Sequence, residues 1–306
     1  MLENRTVIVP EGLDGTRIDQ ALSKLFGFSR TFAQDIILGG GARLHGEKAQ
    51  KSDRVQTGDL LEVEWAPKQE PKIVPVDLPE LNVVYDDQDL IVVDKPAGVA
   101  AHPSLGWSGP TVLGALAGAG YKIATSGPPE RQGVVQRLDV GTSGLMVVAK
   151  SENSYSVLKK AFKQRTVEKT YHTVVQGYPD PLSGTIEGPI ARHPGHEWKF
   201  AVVDGGKHSV THYKTLEVFM SASLLEIKLE TGRTHQIRVH MAAHGHPLVG
   251  DPMYGSDPQV AERLGLDRQW LHAVKLAFTH PGTAKRVEFE SKYPADLKRA
   301  LQILRL

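Results

Sequence analysis

One aspartate lies between two apolar runs near the middle of the chain. The stretch GVVQRLDVGTSGLMVVAK places Asp139 directly before a loop rich in glycine, threonine and serine. Such an aspartate can simply shape a turn, because its carboxylate accepts hydrogen bonds from nearby backbone N–H groups. It can also be reactive, since an ionised and oriented carboxylate acts as a nucleophile or as a general base.

Arg137 lies two residues before Asp139. If GVVQRL and GLMVVAKS are paired strands of a hairpin, strand alternation places both side chains on one face. A guanidinium near the carboxylate keeps it ionised and fixes its direction. A carboxylate that faces a cleft without such a partner is costly. The spacing therefore predicts a charge pair, with the turn-forming and reactive roles both open.

Histidines are concentrated in the stretch TGRTHQIRVHMAAHGHPLVGDPMYG. His240 and His244 are four residues apart on a predicted helix, and Asp251 is a third candidate ligand for a metal ion. The stretch HMAAH lacks the glutamate that a zinc hydrolase carries as its general base. Arg233 and Arg238 would also repel a cation. A metal site is therefore disfavoured, and bonds to backbone or to phosphate groups suit the local charge better.

The stretch KKAFKQRTVEKTY is basic. It carries five cations against Glu168, so five minus one gives a local charge of +4: Lys159, Lys160, Lys163, Arg165 and Lys169. This pattern is typical of a solvated helix face followed by a strand, and it also suits a nucleic-acid contact.

The composition indicates a globular protein with an ordinary charge balance. Of the 306 residues, 40% are hydrophobic and 23% are charged, and 36 basic against 35 acidic residues give a net charge of +1. The absence of cysteine excludes disulfides and thiolate chemistry. No apolar run is long enough to span a membrane, and the first residues do not resemble a signal peptide, so a cytoplasmic location is expected.

The elements that would position these residues fall into two predicted domains. Residues 66–80 contain four prolines and predict a linker between a small domain, 12–65, and a large domain, 81–306. The large domain has many short β-patterns without βαβα alternation. It is therefore predicted to be α+β, with a mixed, mostly antiparallel sheet and helices packed on it.

The small domain reads as two helices followed by short strands. Ser29 is a candidate N-cap for the second helix, and the glycines after it predict its end. This small α/β pattern resembles the S4 RNA-binding module, which would make its arginines candidate RNA contacts: Arg17, Arg30 and Arg43. A docking or dimerisation module is the alternative.

Six motifs in order carry a wider resemblance. The S4-like N-terminus is followed by LIVVDKPAGVAAHPS, GVVQRLDVGTSGLMVVAKS, EKTYHTVVQG, LETGRTHQIRVHMAAHGHPLVGDPMYG and LHAVKLAFTHP. Together they resemble the RNA pseudouridine synthases of the RluA/RluD type, which modify ribosomal and transfer RNA. The resemblance covers nearly the whole chain.

The resemblance implies a role for each site residue. Asp139 corresponds to the catalytic aspartate, which would attack ribose C1′ or base C6. Tyr171 corresponds to the tyrosine that stacks on the flipped base, with help in removing the C5 proton as a further role. Arg238 corresponds to the arginine that pairs with the aspartate, and Arg233 is the alternative for that pairing. The other positions implied to contact RNA are Arg137, which would fill the gap left by the flipped nucleotide, Arg233, a phosphate contact, His235, Gln236 and Leu271, an apolar wall of the base pocket.

The implied reaction isomerises uridine in RNA to pseudouridine with no metal or cofactor. Large-subunit ribosomal RNA of the 23S type is the expected partner, transfer RNA is the alternative, and the protein is expected to be a monomer. A non-catalytic RNA-binding or ribosome-assembly factor on the same fold is a further alternative. One departure concerns Gln136, because many relatives have histidine there.

Overall fold

The computed structural model describes residues 2–66 and 71–306, apart from the side chain of Glu197. The chain divides into two compact units, residues 1–69 and 70–306. Part of the predicted linker, residues 67–70, lies outside the described residues. The stretch 71–80 has no helix or strand, and Ile73 and Leu78 pack against the core of the second unit.

The first unit packs two helices on a four-stranded sheet. Its elements are β1 (Glu3–Ile8), α1 (Ile18–Phe26), α2 (Arg30–Leu38), β2 (Ala42–Leu44), β3 (Glu47–Lys48) and β4 (Leu60–Trp65). The strand order is β1-β4-β2-β3. Ser29 is the N-cap of α2, as predicted, and its hydroxyl accepts a hydrogen bond from the Phe32 N–H group at 3.3 Å. Strand β1 was not predicted, and it pairs with β4 along its whole length.

The second unit contains the remaining helices and strands. The first half comprises β5 (Asn82–Asp86), β6 (Leu90–Lys95), α3 (Val112–Gly118), β7 (Ser143–Ala149), α4 (Glu152–Gln164), β8 (Glu168–Gln176), β9 (Ser183–Glu187), β10 (Ile190–His193) and β11 (His196–Val202). The second half comprises β12 (Val210–Val218), β13 (Ala222–Leu229), α5 (Gln236–Ala243), α6 (Pro258–Leu264), β14 (Leu271–Thr279), β15 (Arg286–Glu290) and α7 (Ala295–Leu304).

A nine-stranded sheet organises the second unit. Its order is β5-β6-β7-β14-β8-β13-β12-β9, and β15 pairs with β14 beside this path. The pair of β7 and β14 is parallel, while the other pairs within this sheet are antiparallel. The prediction of an α+β fold with a mixed, mostly antiparallel sheet is confirmed. No helix in the described part of the chain is long and apolar enough to cross a membrane.

The predicted hairpin around Asp139 is wrong. GLMVVA forms β7, but GVVQRL is not a strand, and only Val134 makes an isolated bridge, to Val148. β7 pairs with β6 along most of its length, while β14 pairs only with Ser143 and Gly144, and the segment before Asp139 meets β7 at the single Val134–Val148 bridge. Strand alternation therefore does not determine where Arg137 and Asp139 point.

One face of this sheet carries the core that supports the site. Helices α3 and α5 pack there, with Ile237 and Met241 of α5 in the same buried cluster as Tyr171 of β8 and Leu271 of β14. Aliphatic side chains on the pleated surface give this packing its hydrophobic free energy. The helix that carries Arg238 is thereby fixed against the strand that carries Tyr171.

Candidate active site

Asp139 lies in the tight turn that leads into β7. The Thr142 N–H group donates to the main-chain carbonyl of Asp139 at 3.0 Å, a turn bond that does not involve the carboxylate. The turn is pressed against the start of β14, because a Cβ at Gly144 would lie 2.3 Å from the Ala273 carbonyl oxygen. Gly144 also has a φ of 114°, which other residues rarely adopt. The Asp139 carboxylate remains one-fifth exposed.

Arg238 of α5 is the partner of Asp139. The buried guanidinium donates to both oxygens of Asp251, from Nε at 2.7 Å and from Nη2 at 2.9 Å. The Nη1 group is directed to Asp139 Oδ2 at 3.3 Å. Two-point binding by a carboxylate fixes the plane of a guanidinium. Asp251 therefore determines the direction from which Arg238 meets Asp139.

The charges around Arg238 keep it a cation. Burial disfavours the charged guanidinium, but the hydrogen bonds and charge of Asp251, followed by the charge of Asp139, outweigh it and raise the pKa of Arg238. The ring of Tyr254 lies 4.9 Å from the guanidinium carbon and adds a cation–π contact. A permanent cation therefore faces the Asp139 carboxylate.

His235 forms another part of the wall beside Asp139. Its Nδ1 atom is 2.8 Å from the Tyr254 hydroxyl, and its Nε2 atom is 3.9 Å from Asp139 Oδ2. Burial lowers the pKa of His235, while the Asp139 charge acts in the opposite direction. The ring is therefore mainly neutral at pH 7, and Arg238 supplies the positive charge next to Asp139.

Lys95 is a buried cation beneath the Asp139 turn. Its ammonium donates to the carbonyls of Pro96, Val99 and Val140 at 2.9, 2.7 and 3.3 Å. Burial lowers its pKa to about 7, although the Asp139 charge acts in the opposite direction. Because Val140 follows Asp139 in the chain, Lys95 ties the turn to the end of β6.

The eight site residues that the sequence assigns to the large domain all line one cavity. This base cavity, about 70 Å³, lies over Asp139, with further lining from Tyr171, Arg238 and Leu271, and from Arg137, Arg233, His235 and Gln236. Three larger cavities, of about 530, 490 and 480 Å³, adjoin it, and Arg137 lines each of them. The Arg137 guanidinium donates to the Thr234 hydroxyl across the base cavity.

Tyr171 and Leu271 form the apolar part of the base cavity. Tyr171 lies in the centre of the sheet, where β8 pairs with β13 and β14. Both side chains are nearly buried. Burial, and then the Asp139 charge, raise the pKa of Tyr171 well above its usual range. The phenol is therefore protonated at neutral pH.

Gln236 has a structural role that the sequence did not indicate. Its Oε1 atom accepts from Thr231 and from the Arg233 N–H group, and its Nε2 atom donates to Val210 and Thr211. The amide is buried and fully engaged inside the protein. The predicted RNA contact by this side chain is therefore corrected to a brace for the loop that precedes α5.

Two of the three arginines predicted to contact RNA in the first unit form ion pairs, and the third is exposed. Arg17 and Arg30 both pair with the buried carboxylate of Asp19, at 3.2 and 3.1 Å. Burial disfavours the charged carboxylate, but bonds from Gln34, Arg30 and Arg17 lower the pKa of Asp19 to about 2. Arg43 is exposed on β2.

The geometry does not suit the metal site considered from the sequence. Asp251 is bound by Arg238, and the two ring nitrogens of His240 meet the Thr211 hydroxyl and the Gly188 carbonyl. A carbonyl partner requires the proton on Nε2, which leaves that nitrogen no lone pair for a metal. The Nε2 atom of His244 lies 3.5 Å from the Tyr213 hydroxyl oxygen.

Among the described residues, one other group has metal-ligand spacing, namely Asp87, Asp89 and His280. His280 Nδ1 accepts the N–H groups of Gly282 and Thr283, each at 3.2 Å. With Nδ1 as the acceptor, Nε2 carries a proton and lies 2.9 Å from Asp87 Oδ2. A metal ligand needs a free lone pair there, so this group does not suit a metal either.

The fold and the site define a class of RNA-modifying isomerase. Residues 89–243, about half of the chain, match the model of the family described as RNA pseudouridylate synthase. The chain belongs to the RNA pseudouridylate synthase family. It is an enzyme, and the predicted class is confirmed.

Relatives extend this result over nearly the whole chain. An uncharacterized RNA pseudouridine synthase of Mycobacterium bovis is 59% identical over 99% of both chains. The Ribosomal large subunit pseudouridine synthase D of Xanthomonas campestris is 40% identical over 98% of this chain and 92% of its own. The solved structure of human RNA Pseudouridylate Synthase Domain Containing 1 has a TM-score of 0.58 at 28% identity, covering 72% of this chain and 86% of its own. The RluA/RluD-type resemblance is thereby confirmed.

Sequence reasoning missed two buried residues of the site. Lys95 ends an apolar run, LIVVDK, and a lysine inside such a run is the signal that could have identified it. Asp251 was considered only as a metal ligand, whereas it is the main partner of Arg238. The position of Asp251 in the loop after α5 does not by itself indicate that it pairs with Arg238.

The two carboxylates around Arg238 should differ in their effect on stability. Asp251→Asn removes the charge that compensates a buried guanidinium, so the free energy of unfolding should fall by about 3–5 kcal/mol. Asp139→Asn should cost no more than about 1 kcal/mol, because Asp139 is partly exposed and makes a single longer bond. Urea unfolding of the two variants measures the difference, and equal losses would contradict this division of roles.

Lys95 should give stability a distinctive pH dependence. With a pKa near 7 in the folded state and 10.5 when unfolded, the unfolded chain binds more protons between these values. The free energy of unfolding should therefore rise with pH in that window, by up to ~1.4 kcal/mol per pH unit. Lys95→Met should lose this rise between pH 7.5 and 9.5. The exposed control Lys122→Met should keep it, and the same slope in all three proteins would disprove the assignment.

Proposed function

We propose that the enzyme converts specific uridines of large-subunit ribosomal RNA to pseudouridine, with Asp139 as the nucleophile on a flipped-out nucleotide. The observation that carries the proposal is the Asp139 carboxylate, held by Arg238 at 3.3 Å beside a cavity walled by Tyr171 and Leu271. The similarity to a relative named as a large-subunit enzyme supports ribosomal RNA. Transfer RNA is the alternative substrate.

The proposed chemistry balances without an oxidant, a metal or a nucleotide. The Asp139 carboxylate adds to the ribose C1′ or to the base C6, and the bond between C1′ and N1 breaks. The uracil turns within the cavity and forms a bond from C5 to C1′. A carboxylate bound to C1′ is displaced by this bond, whereas a carboxylate bound to C6 is expelled when the C5 proton is lost and the C5=C6 double bond is restored. The C5 proton is lost to a base and N1 gains a proton, so substrate and product are isomers.

The walls of the base cavity suit a flipped base. Extrusion from a stack costs a few kcal/mol, and stacking on an aromatic ring returns about 1–3 kcal/mol. Tyr171 offers such a ring, and Leu271 helps to exclude water from the detached uracil. Because the pKa of Tyr171 is raised, its hydroxyl is a hydrogen-bond donor at neutral pH. A protonated phenol is a poor base, so the raised pKa argues against unaided proton abstraction by Tyr171.

Arg137 suits the proposed role of filling the gap that the uridine leaves. Its side chain is exposed and lines the base cavity and all three adjoining cavities. Its bond to Thr234 spans the place where a base would enter. RNA binding would exchange this bond for contacts with the neighbouring bases.

We further propose that residues 12–65 are an RNA-binding domain of the S4 type. Arg17 and Arg30 retain exposed guanidinium surface while they neutralise Asp19. Arg43 has no carboxylate within ion-pair distance among the residues that the structure describes. Exposed arginines of this kind suit phosphate contacts.

Replacing Asp139 with Asn should abolish turnover. The amide is not nucleophilic, so the rate should fall by on the order of 10³-fold or more. Release of tritium from RNA labelled at uridine C5 measures the reaction, and Asp204→Asn, an exposed carboxylate, is the matched control. Undiminished release by the Asp139 variant would remove the nucleophile assignment.

Pseudouridine mapping should identify the substrate. Ribosomal and transfer RNA from cells with and without the gene are compared, and the wild-type gene or the Asp139→Asn gene is then restored. Sites in large-subunit ribosomal RNA should disappear with the gene and return with the wild type alone. Loss confined to transfer RNA would overturn the substrate proposal and leave the reaction intact.

A further inference from the structure

A cavity of about 530 Å³ lies directly beside the base cavity, and we refer to it as the flanking cavity. The two share part of their walls, including Arg137, Tyr171 and Arg233. The base cavity is about 70 Å³ and has no room for a second nucleotide. A nucleotide adjacent to the flipped uridine would therefore lie in one of the three adjoining cavities, of which the flanking cavity is the largest.

The charge of the flanking cavity is strongly positive. Its lining includes six cations and one carboxylate: Arg131, Arg137, Lys163, Arg165, Lys169, Arg233 and Glu230. The carboxylate is already bound by Arg165 at 3.1 Å and by His212 at 2.8 Å. It cannot neutralise the other cations. The basic stretch noted in the sequence thus supplies a concave cationic surface rather than only a solvated helix face.

Lys169 is the least exposed of these cations. It precedes Tyr171 by two residues on β8 and is half-buried. In the described part of the chain, no carboxylate lies within ion-pair distance of it. Burial lowers its pKa, since no anion compensates the charge. An anionic ligand at this point would relieve the cost.

Gln136 also lines this cavity, and its amide holds an unsatisfied donor. Its Nε2 atom is buried and has no hydrogen-bond partner within the described residues. A buried donor without a partner costs about 1–3 kcal/mol. The cavity lining thus includes an unused amide donor and an ammonium group that faces the Phe162 ring at 5.8 Å but has no carboxylate partner among the described residues, and an anionic acceptor would suit both. A phosphate oxygen has this chemistry and accepts from both groups.

We propose that the flanking cavity binds the backbone phosphate of the nucleotide next to the flipped uridine, with Lys169 as counter-ion and Gln136 as hydrogen-bond donor. This inference rests on the proposed function, since it assumes that RNA reaches Tyr171. The amide of Gln136 has no proton that dissociates near neutral pH, so it remains a hydrogen-bond donor throughout this range. The contribution of Gln136 to phosphate binding is therefore insensitive to pH.

Salt dependence of RNA binding tests the part of Lys169. The full-length protein is titrated with in vitro transcribed large-subunit ribosomal RNA at several salt concentrations. Lys169→Met should reduce the slope of log Kd against log salt by roughly 0.7–0.9, the value for one phosphate contact. Lys169→Arg should restore it. The matched control Lys160→Met, on the exposed face of α4, should leave the slope within half of that change.

Equal slope changes in the Lys169→Met and Lys160→Met proteins would overturn the proposal, because they would indicate diffuse attraction. An unchanged slope in Lys169→Met would overturn it as well. This binding measurement requires no turnover. If no RNA is isomerised, the proposed function fails while the slopes still report on the cavity. If isomerisation is intact but the slopes do not differ, the cavity proposal alone fails.

The part of Gln136 is tested by kinetics. Gln136→Leu keeps the size of the side chain and removes the donor, so KM for the RNA should rise about tenfold. The loss should appear in KM rather than in kcat, because a backbone contact is made equally in the ground and transition states. A methylphosphonate next to the target uridine should penalise the wild type and add no penalty in Gln136→Leu. A loss in kcat alone, or additive penalties, would overturn the assignment.

Discussion

The site depends on one buried guanidinium that two carboxylates share. A charge inside a protein is stable only when its hydrogen bonds and its charge are both compensated. Asp251 meets most of that need for Arg238 with two bonds, and one of the remaining N–H groups is directed at Asp139. The direction of this group is fixed by a pairing on the far side of the guanidinium. Asp139 thus meets an oriented partner although its own carboxylate is partly exposed.

The fold brings this arrangement together from distant parts of the chain. Asp139 enters on the turn before β7, Arg238 on α5, and Asp251 on the loop that follows α5. Lys95, at the end of β6, binds the carbonyl of Val140 and so fixes the turn from below. Each segment is held by the nine-stranded sheet or by the core on one of its faces. The precision of the site therefore comes from the centre of the sheet rather than from surface loops.

Sequence patterns anticipated the elements that local chemistry determines. The Ser29 cap, the α5 helix and the long strands follow from side-chain type and period. The prediction of a strand before Asp139 was wrong, because this segment makes only one bridge to β7, from Val134 to Val148. Gln136 and Gln236 look alike in sequence, yet one amide is fully bonded inside the protein and the other has an unused donor. Such differences arise from residues far away in the chain, which period and spacing do not report.

The close contact between Gly144 and the Ala273 carbonyl has an evolutionary consequence. It is where β7 and β14 come together, and it admits no side chain at position 144 whatever reaction the protein performs. A descendant that abandoned catalysis but kept the fold could replace Asp139 freely and would still have to retain Gly144. Retention of Gly144 would therefore indicate descent from this fold, whereas retention of Asp139 would indicate that the activity has been kept.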